Sequence, residues 1–342
     1  MGYGYPLGQG SKTDGPPWPL EVPLPGPAVD VGFSGYHGCA VVEGGDLYCW
    51  GWNGSGQLGL GYKEWWVGDD EKPEDVGPVD VGGPVVDVEL GHMHTCVLLA
   101  DGVVRCFGAQ RQDPLFCGAV GGCDVTGVLG TGQDENIGDD EVPSSAPPVE
   151  LGGAAVHLES VGSVTTCAIR QDGALFCWGI WHWSAVTRFF VGDDETPLEA
   201  GPVEVGPVRD VEKYCYQGLE DGRWRCWWPT SSAYAGAPGT VAQDPLDLDE
   251  LLGAHVVEVE RTAGTVCARL EDNSLRCWGE GTDGQLGYGP LFEAPKACDF
   301  GFSEFISYGV PCNSFSPNTS VPPGCCVEEG GTLEHLPPVP YE

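Results

Sequence analysis

The sequence predicts an all-β protein: a β-propeller of about six four-stranded blades, with seven as the alternative count. A cross-strand disulfide is expected in most blades, and one blade is expected to be split between the two ends of the chain. Three observations lead there. A block bounded by two Cys residues recurs five times along the 342 residues. The spacing inside the block is that of a short hairpin. Gly and Pro, 54 and 29 residues, recur too often for long helices.

The blocks read Cys39-AVVEGGDLY-Cys49, Cys96-VLLADGVVR-Cys106, Cys167-AIRQDGALF-Cys177 and Cys267-ARLEDNSLR-Cys277, with a variant copy Cys215-YQGLEDGRWR-Cys226. An apolar stretch such as PVVDVEL precedes each one. A long loop follows, and then a Pro-Val segment such as Pro78–Val81 or Pro202–Val205, read as a closing strand. In the second block, Val97–Leu99 and Val103–Arg105 read as strands joined by Ala100-Asp101-Gly102, with Gly102 left-handed. That register places Cys96 opposite Cys106. Opposed residues have Cα atoms about 4.5–5.5 Å apart, within disulfide range.

The strings Gly91-HMHTC, DGVVRCFG and Trp278-GEGTDGQLGYG resemble the regulator-of-chromosome-condensation repeat, in the Cys-rich form of secreted bacterial proteins. The resemblance covers nearly the whole chain. It implies propeller blades and a binding or scaffolding role. It does not fix the partner, because such propellers serve as exchange factors, inhibitors and surface scaffolds.

A sixth block is degenerate: Cys325-Cys326-VEEGGTLE-His335 aligns with Cys39–Cys49, and His335 replaces the second Cys. The opening residues, with GYPLGQG and Glu21-Val-Pro-Leu24, resemble the other half of a repeat. The expected division is therefore a single propeller domain over 1–342. Residues 1–26 form the second half of the split blade, 27–83, 84–153, 154–206, 207–253 and 254–301 are whole repeats, and 302–342 form the degenerate first half. Completion in cis closes the ring, and completion in trans links subunits.

Charge and cysteine set the expected compartment. Acidic residues outnumber basic ones 51 to 15, a net charge of −36, which opposes binding to nucleic acid or an anionic membrane face. No run of about 18 apolar residues occurs, so no transmembrane segment is expected. Sixteen Cys with no C-x-x-C pair suggest disulfides and an extracellular or cell-surface location. The first residues lack a signal-peptide pattern, which suggests a processed or truncated start.

Six further Cys lie outside the five paired blocks. Cys117 and Cys123 are expected to pair within one insertion. Cys298, Cys312, Cys325 and Cys326 are expected to form two bridges, with three connectivities open. The triads Asp69-Asp70-Glu71, Asp139-Asp140-Glu141 and Asp193-Asp194-Glu195 each follow Gly. They could hold calcium, the one cofactor that enters the reading, but a turn bonded to its own backbone is the preferred account. Asn53 and Asn318 head glycosylation sequons. Trp65, Trp66, Trp181 and Trp183 are placed in long loops as a partner-binding face, while Trp50, Trp178, Trp227 and Trp278 are assigned to the core.

No catalytic residue is assigned. The sequence holds neither a G-x-S-x-G elbow nor an H-E-x-x-H motif. His37, His92 and His94 fall near a repeated position and read as structural. The expected function is a non-enzymatic extracellular scaffold, self-assembling into a homopolymer or filament through its terminal strands. The alternative is a monomeric secreted module that binds an extracellular protein or glycan as an inhibitor, adhesin or lectin.

Overall fold

The computed structural model describes residues 21–62, 64–111, 126–161, 164–181, 189–227, 245–261 and 265–280, with short strands at 307–308, 310–311 and 326–327. The chain divides into two compact units, Met1–Trp181 with Arg188–Gly206, and His182–Thr187 with Pro207–Glu342.

The first unit holds three antiparallel sheets. The first runs β1 (Ala28–Phe33), β2 (His37–Val42), β3 (Leu47–Trp52) and β4 (Trp66–Val67) in chain order. The second is β5 (Val85–Leu90), β6 (His94–Leu99) and β7 (Val104–Gly108), and single bridges Gly108–Ile137 and Val104–Val149 mark its outer edge. The third is β8 (Ala155–Ser160), β9 (Thr165–Arg170), β10 (Leu175–Trp181) and β11 (Phe189–Val191).

The second unit holds two four-stranded sheets. One is β12 (Val208–Glu212), β13 (Cys215–Gly218), β14 (Trp224–Cys226) and β15 (Leu246–Asp247). The other is β16 (Val256–Arg261), β17 (Thr265–Leu270), β18 (Leu275–Glu280) and β19 (Ser307–Tyr308). Its fourth strand thus comes from beyond residue 301. A parallel pair, β20 (Val310–Pro311) and β21 (Cys326–Val327), follows. The ends expected to form the split blade lie mostly outside the described residues.

Each of the five antiparallel sheets is a blade of one design. Cys96 stands opposite Cys106 and Leu98 opposite Val104, the register that the hairpin chemistry predicts. Gly102 takes φ +87°, and Asn273 takes the same left-handed place at φ +66° in the fifth blade. The loop Asp accepts from the backbone two residues on, as Asp101 Oδ1 does from Val103 N–H at 3.1 Å and Asp272 Oδ1 from Ser274 N–H at 2.8 Å. The five pairs Cys39–Cys49, Cys96–Cys106, Cys167–Cys177, Cys215–Cys226 and Cys267–Cys277 are disulfides with Cα atoms 4.0–4.1 Å apart. Trp50, Phe107, Trp178 and Trp278, each next after the second Cys, are buried in the core, whereas Trp227 is only partly buried.

The outer strand differs from expectation. Pro78–Val81 and Pro202–Val205 are not strands. Val79 N–H donates to Leu47 O and Val203 N–H to Leu175 O, both at 2.8 Å, and the pairing stops there. The acidic turn and a single helical turn, α1 (Pro73–Val76) or α2 (Pro197–Ala200), interrupt the strand between its two points of attachment. Pro at the first helical position favours that turn and cannot donate to a ladder.

Consecutive blades of the first unit are tied by side chains that recur with the repeat. Asp30 Oδ2 accepts from Val88 N–H at 3.0 Å, and Asp87 Oδ2 from Leu158 N–H at 3.3 Å. The Thr95 hydroxyl donates to Gln57 O at 2.9 Å, so His37 Nε2–H is the donor in its 2.8 Å bond to Thr95 Oγ1. His94 Nε2 lies 3.1 Å from Thr166 Oγ1 one blade further on. In the second unit Arg261 takes over this task. Its Nη1 donates to Trp227 O at 3.0 Å, and its guanidinium lies 4.9 Å from the Tyr214 ring centre.

Candidate interaction surfaces

The first blade ends in an aromatic ladder. Gly51, at φ +104°, carries β3 past Tyr36, where a Cβ would meet the Tyr36 carbonyl. Trp52 N–H then donates to Tyr36 O at 3.0 Å, and the Tyr36 and Trp52 ring centres lie 5.8 Å apart. His92 of the next blade meets the Tyr36 ring edge-on at 4.8 Å. On the other side Trp66 stands opposite Trp52 in register, which puts both on one face of the sheet. Trp65 O accepts from Asn53 N–H at 3.0 Å. Trp65 and Trp66 remain 65% and 47% exposed, and Tyr36 and Tyr62 are exposed as well.

The four loop tryptophans are thus only partly where the sequence placed them. Trp66 belongs to strand β4 and Trp181 ends strand β10, because each pairs with the neighbouring strand beyond the Gly that follows the core aromatic. Trp183 and the Trp181 side chain lie outside the described residues. Tyr36, Trp52 and Tyr62 were missed, and His92 was read only as structural. The signal was available: Tyr36 and Trp52 occupy positions that hold Met93 and Ala109 in the next repeat.

A second exposed patch lies on β1. Val31 and Phe33 are 55% and 65% exposed, while their repeat equivalents Val88 and Leu90 are 2% and 8% exposed. In the second blade those positions pack on the first blade, where Leu90 lies against Gly32.

The acidic triads each bring their carboxylates within 4.8 Å of one another. Their hydrogen bonds belong to the blade edge. Gly68 N–H donates to Glu71 Oε1 at 3.0 Å, and the Thr126 hydroxyl donates to Asp193 Oδ2 at 2.9 Å. The Gly-rich loop of one blade seats on the acidic turn of the next, with Gly61 N–H on Gly138 O at 3.1 Å and Gly132 N–H on Gly192 O at 3.2 Å. Burial, reinforced by Asp140 or Asp194 beside it, pushes Glu141 and Glu195 up to about 7. Asp69, Asp70, Asp139, Asp140, Asp193 and Asp194 complete these turns.

The Asn53 sequon is a correction. Asn53 is 4% exposed, and its Oδ1 accepts from Leu58 N–H at 2.9 Å to hold the Gly-rich loop. A glycan on that buried amide would not fit the folded blade. Asn318 lies outside the described residues, as do Cys117, Cys123, Cys298, Cys312 and Cys325. Cys326 lies in β21. Burial, reinforced by neighbouring His residues, lowers His37 to about 3 and His94 to about 4, so both are neutral inter-blade struts.

Blades with this register and these seams define a disulfide-stapled β-propeller architecture. Models of the regulator of chromosome condensation (RCC1) repeat match residues 44–98 and 28–57, and the fold is that of an RCC1-type propeller. The chain is 26% identical over 297 residues to the ultraviolet-B receptor UVR8 of Arabidopsis thaliana, which covers 83% of this chain and 60% of that protein. Among solved structures it resembles human WBSCR16, at TM-score 0.52 and 20% identity over 77% of this chain and 64% of that one. It also resembles yeast RCC1 (Prp20), at TM-score 0.52 and 16% identity over 79% of this chain and 59% of that one. The chain therefore spans about three fifths of the length of such relatives.

Proposed function

We propose that this chain is a binding module of the extracellular space, and that it acts by docking a protein rather than by catalysis. The observation that carries the reading is the aromatic ladder of the first blade, large exposed rings that the repeat does not need. Aromatic side chains of this kind anchor protein interfaces. Five buried disulfides support an oxidising compartment. The relatives support the coarser part, since an RCC1-type propeller crystallised with Kap60 is a protein-binding one.

A second reading is favoured by Val31 and Phe33. An exposed pair on the one blade face that other blades bury could take a second copy of the chain, and repetition of that contact would give a polymer.

Two measurements test these readings. Maleimide labelling of the protein isolated from its native setting and unfolded without reductant should leave the ten blade Cys unmodified, and their labelling would overturn the extracellular assignment. Cross-linking in the native setting should join the first blade to a different protein. Light scattering near 36.2 kDa would fit the monomeric module. A polymer that Phe33→Asp dissolves would establish the second reading instead.

A further inference from the structure

We infer that the aromatic ladder on the first blade seats a cationic polypeptide segment, one that presents Arg or Lys side chains to the rings. The inference rests on the binding reading above and names the chemistry of the partner.

The fold does not require aromatic residues here. Aligned through Gly51, Gly108 and Gly179, the ladder positions Tyr36, Trp52 and Trp66 correspond to Met93, Ala109 and Asn136 in the second blade and to Val164, Ile180 and Phe190 in the third. Met93 and Ala109 are buried and the seam still closes. The neighbouring aromatics Tyr36 and Trp52 are thus particular to the first blade, whereas Phe190 takes the place of Trp66 in the third, and Trp65 and Trp66 are not held there by burial.

The surroundings of the ladder select a positive ligand. Between residues 60 and 76 the sequence carries Glu64, Asp69, Asp70, Glu71, Glu74 and Asp75 against Lys63 and Lys72. Lys72 is already engaged, with Nζ 3.1 Å from Glu74. Glu64 directly precedes Trp65, and Asp69 follows Trp66 by three residues. The whole chain adds a net charge of −36. Exposed ring faces attract a guanidinium or ammonium through their quadrupole, and flanking carboxylates add direct charge attraction. Arg answers both features at once, since it stacks on rings and forks to carboxylates. A neutral glycan would use the rings but would gain nothing from the field. An acidic protein would be repelled.

The test measures anisotropy of dye-labelled octa-arginine with the full chain, at rising salt. Wild type should bind, and binding should weaken as salt screens the charges. The Trp65→Ala/Trp66→Ala variant should bind at least tenfold more weakly while melting at the wild-type temperature. Trp65→Phe/Trp66→Phe should recover most of the affinity. Asp193→Asn/Asp194→Asn, which removes charge from another blade, should change binding less than twofold.

Equal binding by wild type and the alanine variant would overturn the inference, because it would mark simple attraction to an acidic surface. So would an equal loss in the Asp193/Asp194 variant, no binding at all, or salt-independent binding of cellohexaose at comparable strength. None of these results touches the thiol labelling or the native cross-links, so the binding reading stands or falls separately.

Discussion

In the first blade Cys39–Cys49 joins β2 to β3, and in the second Cys96–Cys106 joins β6 to β7, with Cα atoms 4.1 Å apart in both. Asp30 and Asp87 reach the next blade in the same way, as do His37 and His94. Apart from the outer strand and the exposed face of β1, the two blades part company at their ends. The first finishes in Tyr36 and Trp66, both exposed, with Trp52 partly buried between them, and the second in Met93, Ala109 and Asn136, two of them buried. What the blades share is therefore what holds them up, and what they do not share is where a partner is to be sought.

The largest effect should come from breaking a shared element. Removing Cys39–Cys49 or Cys96–Cys106 by paired Ala substitution should each destabilise by about 3 kcal/mol in the chain-entropy account, measured by denaturant unfolding. The two losses should be of similar size, because the two bridges close loops of the same length. A loss confined to one blade would mean that the shared design is not equally used.

The seam comes next. Thr95→Val leaves the His37 Nε2–H without its acceptor and Gln57 O without its donor, and Thr166→Val removes the partner of His94. Each should destabilise by about 1–3 kcal/mol, the usual result of stranding a buried polar group. Thr95→Ser, which keeps the hydroxyl, should recover much of the loss.

A pH series sharpens the same division. His37 and His94 have folded values near 3 and 4, below their ordinary value. The unfolded chain therefore binds protons first, and the stability the pair confers declines as pH falls from about 6.5 toward 4. The acidic turns act in the opposite direction. Glu141 and Glu195 are raised to about 7, so the stability tied to their protonated forms is present at low pH and lost as pH rises from about 4.5 to 7. Thermal melts of Glu141→Gln/Glu195→Gln should rise less steeply than wild type as pH falls from 7. His94→Gln should flatten the acid side.

Much of the blade was legible in the sequence because hairpin chemistry is local. The loop Asp-Gly, the Cys pair and the register that joins them lie within eleven residues, so one block predicts the others. The outer strand was not legible. Pro78-Val79-Asp80-Val81 alternates like a strand, but the acidic turn and α1 leave it only a single backbone hydrogen bond to β3. The His–Thr seam was out of reach for a different reason, since its partners lie 58 and 72 residues apart and meet only once blades pack. The Trp tetrad was read by composition, as loop aromatics. Alignment of repeat positions would have replaced two of its members with Tyr36 and Trp52.

The smallest expected effect on stability is also the most informative. Trp66→Ala removes a ring that is nearly half exposed, and Trp65→Ala one that is more so. Each should shift unfolding by about 0.5 kcal/mol or less, as surface substitutions do. Trp50→Ala and Phe107→Ala, which empty the buried position after the second Cys, should each cost about 3–5 kcal/mol. If Trp66→Ala costs as much as Trp50→Ala, the ladder is a load the first blade needs, and its difference from the second blade is structural. If it costs almost nothing, the fold has kept large apolar rings in water without return to its own stability. That outcome leaves a contact outside the blade as their reason, because exposed aromatic clusters of this size otherwise invite aggregation.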